Sequence, residues 1–396
     1  MKAQRMDRSV AIAAREYAPY LEATWGFKNH WYPAFFSQEI SENEIKAVTI
    51  AGHDIVLRRV HGRLFGLRDK CAHRGARFSQ EPMCLNDESI TCWYHGFTYG
   101  LSDGVLKTIL ASPEDPIIGK VRIRTYPVEE RGGMVFIFVG DEDYRPLPTL
   151  ESDQPPRMTD NPVFPYLFDE NVFSRGIHRT VNSNWRLGME NGNDPTHILI
   201  HRKNFYVVMS GSKLPLGFLP ASPEAGKFIE MPDGQKGVWG VNHDHYRPIM
   251  ENRYLGLSVP KPVAGPRIDT YRISSWMPSA LLVEDFPGSE WSTIEWYVPI
   301  DDTRHEYWQV ALKLCRDEND RKAAAEFYET IGLPIGFENF NEIDLVARER
   351  LQQHYQDPEQ FGQEAFFAGD IAIVSWRKLA SRFNRGIQAA PQQSER

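Results

Sequence analysis

Between Cys71 and Phe97 the chain reads CAHRGARFSQEPMCLNDESITCWYHGF, and two mixed pairs inside it constrain the fold more than any other feature. They are Cys71-x-His73 and Cys92-x-x-His95, with eighteen residues between His73 and Cys92. Two short pairs on two loops can bring four ligands together at one end of a β module. Each pair fixes one side of a metal centre at little loop-closure entropy, and the meeting of the loops completes it. Gly75 and Gly96 follow the pairs and permit tight turns that aim backbone N–H groups inward at sulfur. Four cysteines in 396 residues are too sparse for a disulfide scaffold, which leaves them as ligands or small core residues.

Two centres suit a Cys2His2 set: tetrahedral zinc, or a [2Fe–2S] cluster with two histidines on one iron. Zinc fingers usually pair like with like, whereas each pair here holds one cysteine and one histidine. The mixed spacing favours the cluster, with Cys71 and Cys92 on one iron and His73 and His95 on the other. Cys84 lies between the pairs and outside both loops, so it reads as structural.

The surroundings of this stretch are β in texture. KAVTI, HDIVLRRV and RLFGLRDK are short alternating or β-branched runs, and His61-Gly62 between the last two predicts a hairpin turn. SITCWYHGFTY, KVRIRTYPVEE and GMVFIFVGD continue the pattern to about residue 141, and a Pro- and Asp-rich crossover follows from Arg145 to Pro165. Beyond it the chain is mixed. YRISSWMPSALLVED and TIEWYVPID predict strands, while residues 317–331 and 339–356 and the AIVSWRKLASRFNRGIQ segment predict helices. Residues 5–24 carry a loose helical period, and the tail PQQSER reads as disordered. The expected fold class is α+β: an all-β cluster domain over residues 30–145, inserted into a larger α+β domain of residues 1–29 and 146–396, an antiparallel sheet surrounded by helices.

A second constellation lies in WRLGMENGNDPTHILIHR. On an α-helix His197 and His201 would stand about 40° apart on one face, a ready two-point chelate. Ile198 occupies the place where H-E-x-x-H zinc proteases carry their glutamate, so no general base for hydrolysis sits beside the pair. Two histidines and one carboxylate on one face form the site of oxygen-activating non-haem Fe(II) enzymes, with positions left open for dioxygen. ENFNEIDLVARERLQQ is the best source of the carboxylate: Asp344 leads, and Glu342 and Glu349 remain alternatives. Asp194 before Pro195 reads as a helix N-cap with proline in the first turn, and also as a carboxylate steadying a ligand histidine.

Charge and hydropathy remove other classes. A net charge of −8, with Arg58–Arg59 as the longest basic cluster, argues against nucleic acid as partner. No segment approaches the roughly 20 apolar residues of a membrane helix, and the charged start lacks a signal peptide's apolar run, so a cytoplasmic location is expected. Taken alone, the residues leave open a zinc-stabilised binding protein or a simple electron carrier.

With both motifs in order, C-x-H…C-x-x-H and E-N-x-x-D-x-x-H-x3-H, the chain resembles the catalytic α subunit of the Rieske non-haem iron aromatic-ring hydroxylating oxygenases. The likeness runs through nearly the whole chain, from GFKNHWYPAFFS through NWRLGMENGNDPTHILIH to WRKLAS and RGIQ. It implies a Rieske [2Fe–2S] cluster, a mononuclear Fe(II) held by His197, His201 and Asp344, and Asp194 as bridging carboxylate. By the same resemblance Gly192, Ile198, Ile273, Phe286, Glu295 and Phe340 match substrate-pocket positions, the Gly192 carbonyl accepting a ring N–H. Within the family the likeness is to oxygenases of carbazole, which implies angular dioxygenation of that ring system to 2′-aminobiphenyl-2,3-diol. A monooxygenase or demethylase acting on another aromatic is the alternative. Asn193, Thr293 and the HGF after the second pair, where HAW is expected, depart from the carbazole pattern. The resemblance also implies a head-to-tail homotrimer fed by a ferredoxin and its reductase, with dioxygen and an aromatic molecule as substrates. Lys70, Arg74 and Arg77 flank the first ligand loop and suit docking of an acidic ferredoxin.

Overall fold

The computed structural model describes residues 16–158, 163–205, 207, 214–249, 272–356 and 363–391. The expected helical start lies outside these residues before Glu16, as does most of the tail; Ala18–Glu22 is helical. The chain divides into two compact units, residues 27–150 with 390–396, and residues 1–26 with 151–389.

The first unit is all β. Ile45–Ile50, His53–Val60, Arg63–Arg68 and Thr125–Tyr126 form a four-stranded sheet in that order. His30–Phe36, Met134–Val139 and Val128–Arg131 form a second sheet. A third is made from Ser89–Thr91, Phe97–Gly100 and Leu106–Ile109. The hairpin closes as expected at His61 and Gly62. Both residues have positive φ, 50° and 73°, and Val60 pairs directly with Arg63. That is the two-residue turn whose twist matches its strands.

The second unit is built on a seven-stranded antiparallel sheet in which Trp291–Pro299 is an interior strand, next to the central Ala280–Glu284. Every residue of that strand is buried, so side chains on both faces meet protein. Helix Trp185–Asn193 lies against one face, where Gly188 and Gly192 meet Tyr297. A β-carbon on Gly192 would stand 2.6 Å from the Tyr297 hydroxyl, so the two glycines set how closely helix and strand approach. Helices Glu318–Phe327, Glu342–Gln356 and Ile371–Phe383 cover the sheet further. Between the first two, Tyr328–Phe340 forms a wide π-helical coil that contains Pro334.

The histidine segment departs from expectation. The α-helix lies upstream, over Trp185–Asn193, and His197–Lys203 is a 3-10 helix. Asp194 is therefore the C-cap of the first helix and Thr196 the N-cap of the second, with Pro195 in neither. Gly188, Gly192 and the asparagines are poor helix formers, and the helix forms there because tight packing on Tyr297 overrides propensity.

Candidate active site and cluster loops

The two ligand loops are built alike. Cys71 N–H donates to Ala76 O at 2.9 Å while its carbonyl accepts from Gly75 N–H at 2.9 Å. Cys92 N–H donates to Phe97 O at 2.7 Å while its carbonyl accepts from Gly96 N–H at 2.9 Å. Gly75 and Gly96 take φ of 75° and 70°, so each loop closes on a left-handed glycine. Cys71 and Cys92 are buried, His73 is exposed and His95 half-buried, with the two histidine centroids 4.7 Å apart. Phe97 stacks on His73, and Tyr94 lies against His95 with its ring tilted by 40°.

Burial pushes the Cys71 thiol up, opposed by a hydrogen bond with Tyr99 at 3.4 Å. Two buried sulfurs beside two less buried imidazoles suit a cluster whose irons carry different ligands. Cys84 stands apart from both loops, and all four cysteines are free. Of the basic flank, Arg74 is exposed, Arg77 pairs with Asp54 at 2.5 Å, and the stem of Lys70 lies beside Gly75.

In the other unit the 3-10 turn and helix Glu342–Gln356 bring His197, His201 and Asp344 together. One donor atom from each lies within 4.8 Å of the others. Asp344 Oδ1 is 3.6 Å from His197 Nε2, and its Oδ2 is 3.4 Å from His201 Nε2. Glu342 and Glu349 point elsewhere: both are exposed, and Glu349 accepts from Asn182.

His197 Nδ1 donates to the Asp194 carbonyl at 2.6 Å, which leaves a lone pair on Nε2 facing the carboxylate. The Asp194 carboxylate turns back instead to accept from Thr196 N–H at 2.7 Å and Thr196 Oγ1 at 2.6 Å. It fixes the loop that presents His197. His201 stacks flat on Phe340, with centroids 3.9 Å apart. Asp344 Oδ1 is buried without a hydrogen-bond partner among the described residues. Burial alone would raise the Asp344 carboxyl, but His201, His197 and Arg348 overcome it and hold the group well below the usual carboxylate range. Two imidazole lone pairs and a carboxylate converging in a buried space need a cation among them. The donor set fits a divalent iron with open positions.

The ligand triad opens on a narrow cavity of about 40 Å³. Gly192, Ile198, Ile273, Phe286, Glu295 and Phe340 all line it, joined by Leu281, Val283, Asn341 and Arg348. The last four were not expected. Arg348 was within reach, because it sits one helical turn beyond Asp344 and so shares its face. Its guanidinium donates to Asn191 at 2.7 Å and lies over the rings of Tyr297 and Tyr307. Leu281 and Val283 alternate on strand Ala280–Glu284, a pattern that reports a buried face but not what it faces.

Comparison with known proteins agrees with this arrangement. Residues 30–127 match the Rieske [2Fe-2S] domain, and residues 138–388, more than half of the chain, match the homotrimeric ring hydroxylase family. The chain belongs to the Rieske non-haem iron ring-hydroxylating oxygenases. It is 39% identical over 386 residues to the terminal oxygenase component of carbazole 1,9a-dioxygenase from Metapseudomonas resinovorans, covering 97% of each chain. The 2-oxoquinoline 8-monooxygenase component superposes with a TM-score of 0.91 at 41% identity, covering 98% of this chain and 92% of that one. The oxygenase in the reduced oxygenase–ferredoxin complex of carbazole 1,9a-dioxygenase gives 0.87 at 37%, covering 98% and 97%. Family members carry a [2Fe–2S] cluster and a mononuclear iron, and both donor sets described above fit those groups. Among the described residues no helix is long and apolar enough to cross a membrane.

Proposed function

We propose that this chain is the oxygen-inserting component of a multicomponent enzyme that hydroxylates a fused nitrogen heteroaromatic, with angular dioxygenation of carbazole to 2′-aminobiphenyl-2,3-diol as its leading reaction. The observation that carries the reading is the convergence of His197, His201 and Asp344 on a cavity walled largely by Ile, Leu, Val and Phe side chains. These three residues would hold iron, which, fed with electrons, supplies dioxygen activation. Cys71, His73, Cys92 and His95 would hold the [2Fe–2S] cluster through which those electrons pass. Ile198, Ile273, Phe286 and Phe340 would exclude water and hold a flat ring beside the triad, while the Gly192 carbonyl would accept a ring N–H. Asp194 pins the turn carrying His197, and in a homotrimer it would join that turn to the neighbouring subunit's cluster.

A reduced ferredoxin, recharged by its reductase, is the proposed electron source, as the solved ferredoxin complexes of similar oxygenases support. Exposed Arg74, with Lys70 and Arg77, offers the positive edge for it. The four free cysteines suit a reducing cytoplasm.

Incubating the reconstituted system with carbazole and ¹⁸O₂ tests the reading. Two labelled atoms in an aminobiphenyldiol are expected, and unlabelled or absent product with intact iron and sulfide content would reject it. A second reading is favoured by the likeness to the 2-oxoquinoline 8-monooxygenase component. In that case one labelled atom would enter an oxoquinoline ring.

A further inference from the structure

Helix Glu342–Gln356 is held to the fold by polar side chains. Its buried residues are Asp344, Arg348 and Gln352, whereas a helix packed on a core normally buries an apolar stripe. With Tyr355 they recur at spacings of four, four and three, which is one face of the helix. Beyond Asp344, each ties that face to helix Trp185–Asn193 or its N-cap. Arg348 Nε donates to Asn191 Oδ1 at 2.7 Å, Gln352 Oε1 accepts from Asn184 N–H at 2.6 Å, and the Tyr355 hydroxyl donates to Glu190 Oε2 at 2.6 Å. Glu190 is itself gripped by Arg377, which donates to both carboxylate oxygens at 2.9 and 2.8 Å. Hydrogen bonds are directional, so these links fix how the helix is rotated about its axis. Asp344 depends on that rotation, because a shift of one residue turns a helical side chain by about 100°. Arg348 is the link nearest the triad. It is 3% exposed, with Cζ 5.1 and 4.6 Å from the ring centroids of Tyr297 and Tyr307. Its Nη1 is buried without a hydrogen-bond partner among the described residues. A buried guanidinium with one donor unmatched is a poor stabiliser, since an apolar side chain of similar volume often serves stability as well or better.

We propose that Arg348 is a positioning residue for the carboxylate ligand: clamped between Asn191 and the two tyrosine rings, it locks helix Glu342–Gln356 at the rotation that aims Asp344 at His197 and His201. This rests on the reading of those three residues as the iron site. The clamp joins both ligand-bearing segments, because Asn191 lies three residues before Asp194, whose carbonyl accepts from His197 Nδ1. The planar guanidinium suits the task. It holds Asn191 through Nε while its flat face covers an aromatic ring, which the point charge of a lysine cannot do.

Two measurements on the full-length holoenzyme test this: Fe²⁺ affinity by competition with a chelator, and the EPR signal of Co²⁺ placed at the same site while the cluster stays oxidised and EPR-silent. R348M should melt near the wild type, bind Fe²⁺ on the order of tenfold more weakly, and give a Co²⁺ signal broadened by a spread of ligand geometries. N191A should do the same from the other end of the clamp, and the double variant should be no weaker than R348M alone. R348K keeps the charge without the planar fork, so its affinity should stay near that of R348M. Full affinity in R348K together with an unaffected N191A would show that only the charge counts and would overturn the clamp. So would a lower melting temperature with unchanged affinity and Co²⁺ signal, the mark of a merely structural role. If R348M does not fold, N191A decides alone, and an unchanged Fe²⁺ affinity there overturns the proposal. A wild-type Co²⁺ signal that persists in H201A rejects the triad reading and the proposal with it. A His201-dependent signal that R348M and N191A leave intact rejects the proposal alone.

Discussion

The cluster loops and the histidine–carboxylate site solve the problem of gathering ligands in opposite ways. The first draws all four ligands from one stretch between Cys71 and His95, on two turns with the same hydrogen-bond frame. Its sulfurs are buried, while His73 is exposed and His95 half-buried. The second joins His197 and His201 to Asp344, more than a hundred residues later, and sets the half-buried His197 and the buried His201 and Asp344 beside a cavity. A centre that only passes electrons can stand on local turns at a surface. A centre that binds substrate needs walls, and walls come from distant elements.

The sharpest test of this contrast removes one centre at a time. Cys92→Ala should abolish acid-labile sulfide and product formation while mononuclear iron content stays near one per chain, because no ligand of the second site depends on that loop. Loss of both metals together would show that the centres are coupled in folding and would break the comparison. Asp344→Ala should do the reverse. Turnover should fall by at least about 100-fold, given that even supporting residues around a metal commonly change activity by 10–100-fold. The cluster's visible spectrum should stay unchanged.

The same contrast explains what could be read from residues alone. The cluster loops were legible because their ligands, glycines and spacing lie within one short stretch, as was the His61-Gly62 turn. The seven-stranded sheet was legible only in pieces: RISSW, ALLVE and WSTIEWYVP read as strands, but nothing local states that they are neighbours. The histidine segment was misplaced. Propensity favoured a helix after Pro195, whereas packing of Gly188 and Gly192 on Tyr297 puts it before Asp194, and that contact is invisible until the strand is in place. Choosing among Glu342, Asp344 and Glu349 likewise depends on which face of their helix meets the histidines. Arg348 shows the converse, since its position one turn beyond Asp344 was readable and went unused.

A smaller effect separates the backbone demands of the two regions. Gly96→Ala forces a side chain into the left-handed region at φ 70° and against Leu110, whose nearest atom would be 2.6 Å away. About 1–2 kcal/mol of destabilisation is expected from the backbone, and because Leu110 is half exposed it can yield. Gly192→Ala meets the Tyr297 hydroxyl and Leu281 in a closed core and should cost about 1–3 kcal/mol from overpacking. Thermal melts of the two variants should therefore differ in kind. Gly96→Ala should release cluster colour before the global transition, and Gly192→Ala should lower the global transition itself. Identical melting behaviour would remove the distinction between a surface turn and a packed wall.

The smallest expected change bears on the link between the histidine turn and its support. Thr196 gives the Asp194 carboxylate two hydrogen bonds, one from its backbone and one from its hydroxyl. Asp194 in turn offers its own carbonyl to His197 Nδ1. Thr196→Val removes the hydroxyl bond alone and keeps the volume of the side chain. A loss of about 1 kcal/mol is expected for one hydrogen bond to a charged group that stays part-exposed to water. It should appear as a several-fold weaker iron affinity, measured by competition with a chelator, because the turn that aims His197 becomes looser. The cluster potential should not move, since no cluster ligand takes part. If iron affinity is unchanged while electron transfer from cluster to iron slows, Asp194 serves the electron path more than the ligand turn, and the support of His197 must come from its backbone alone.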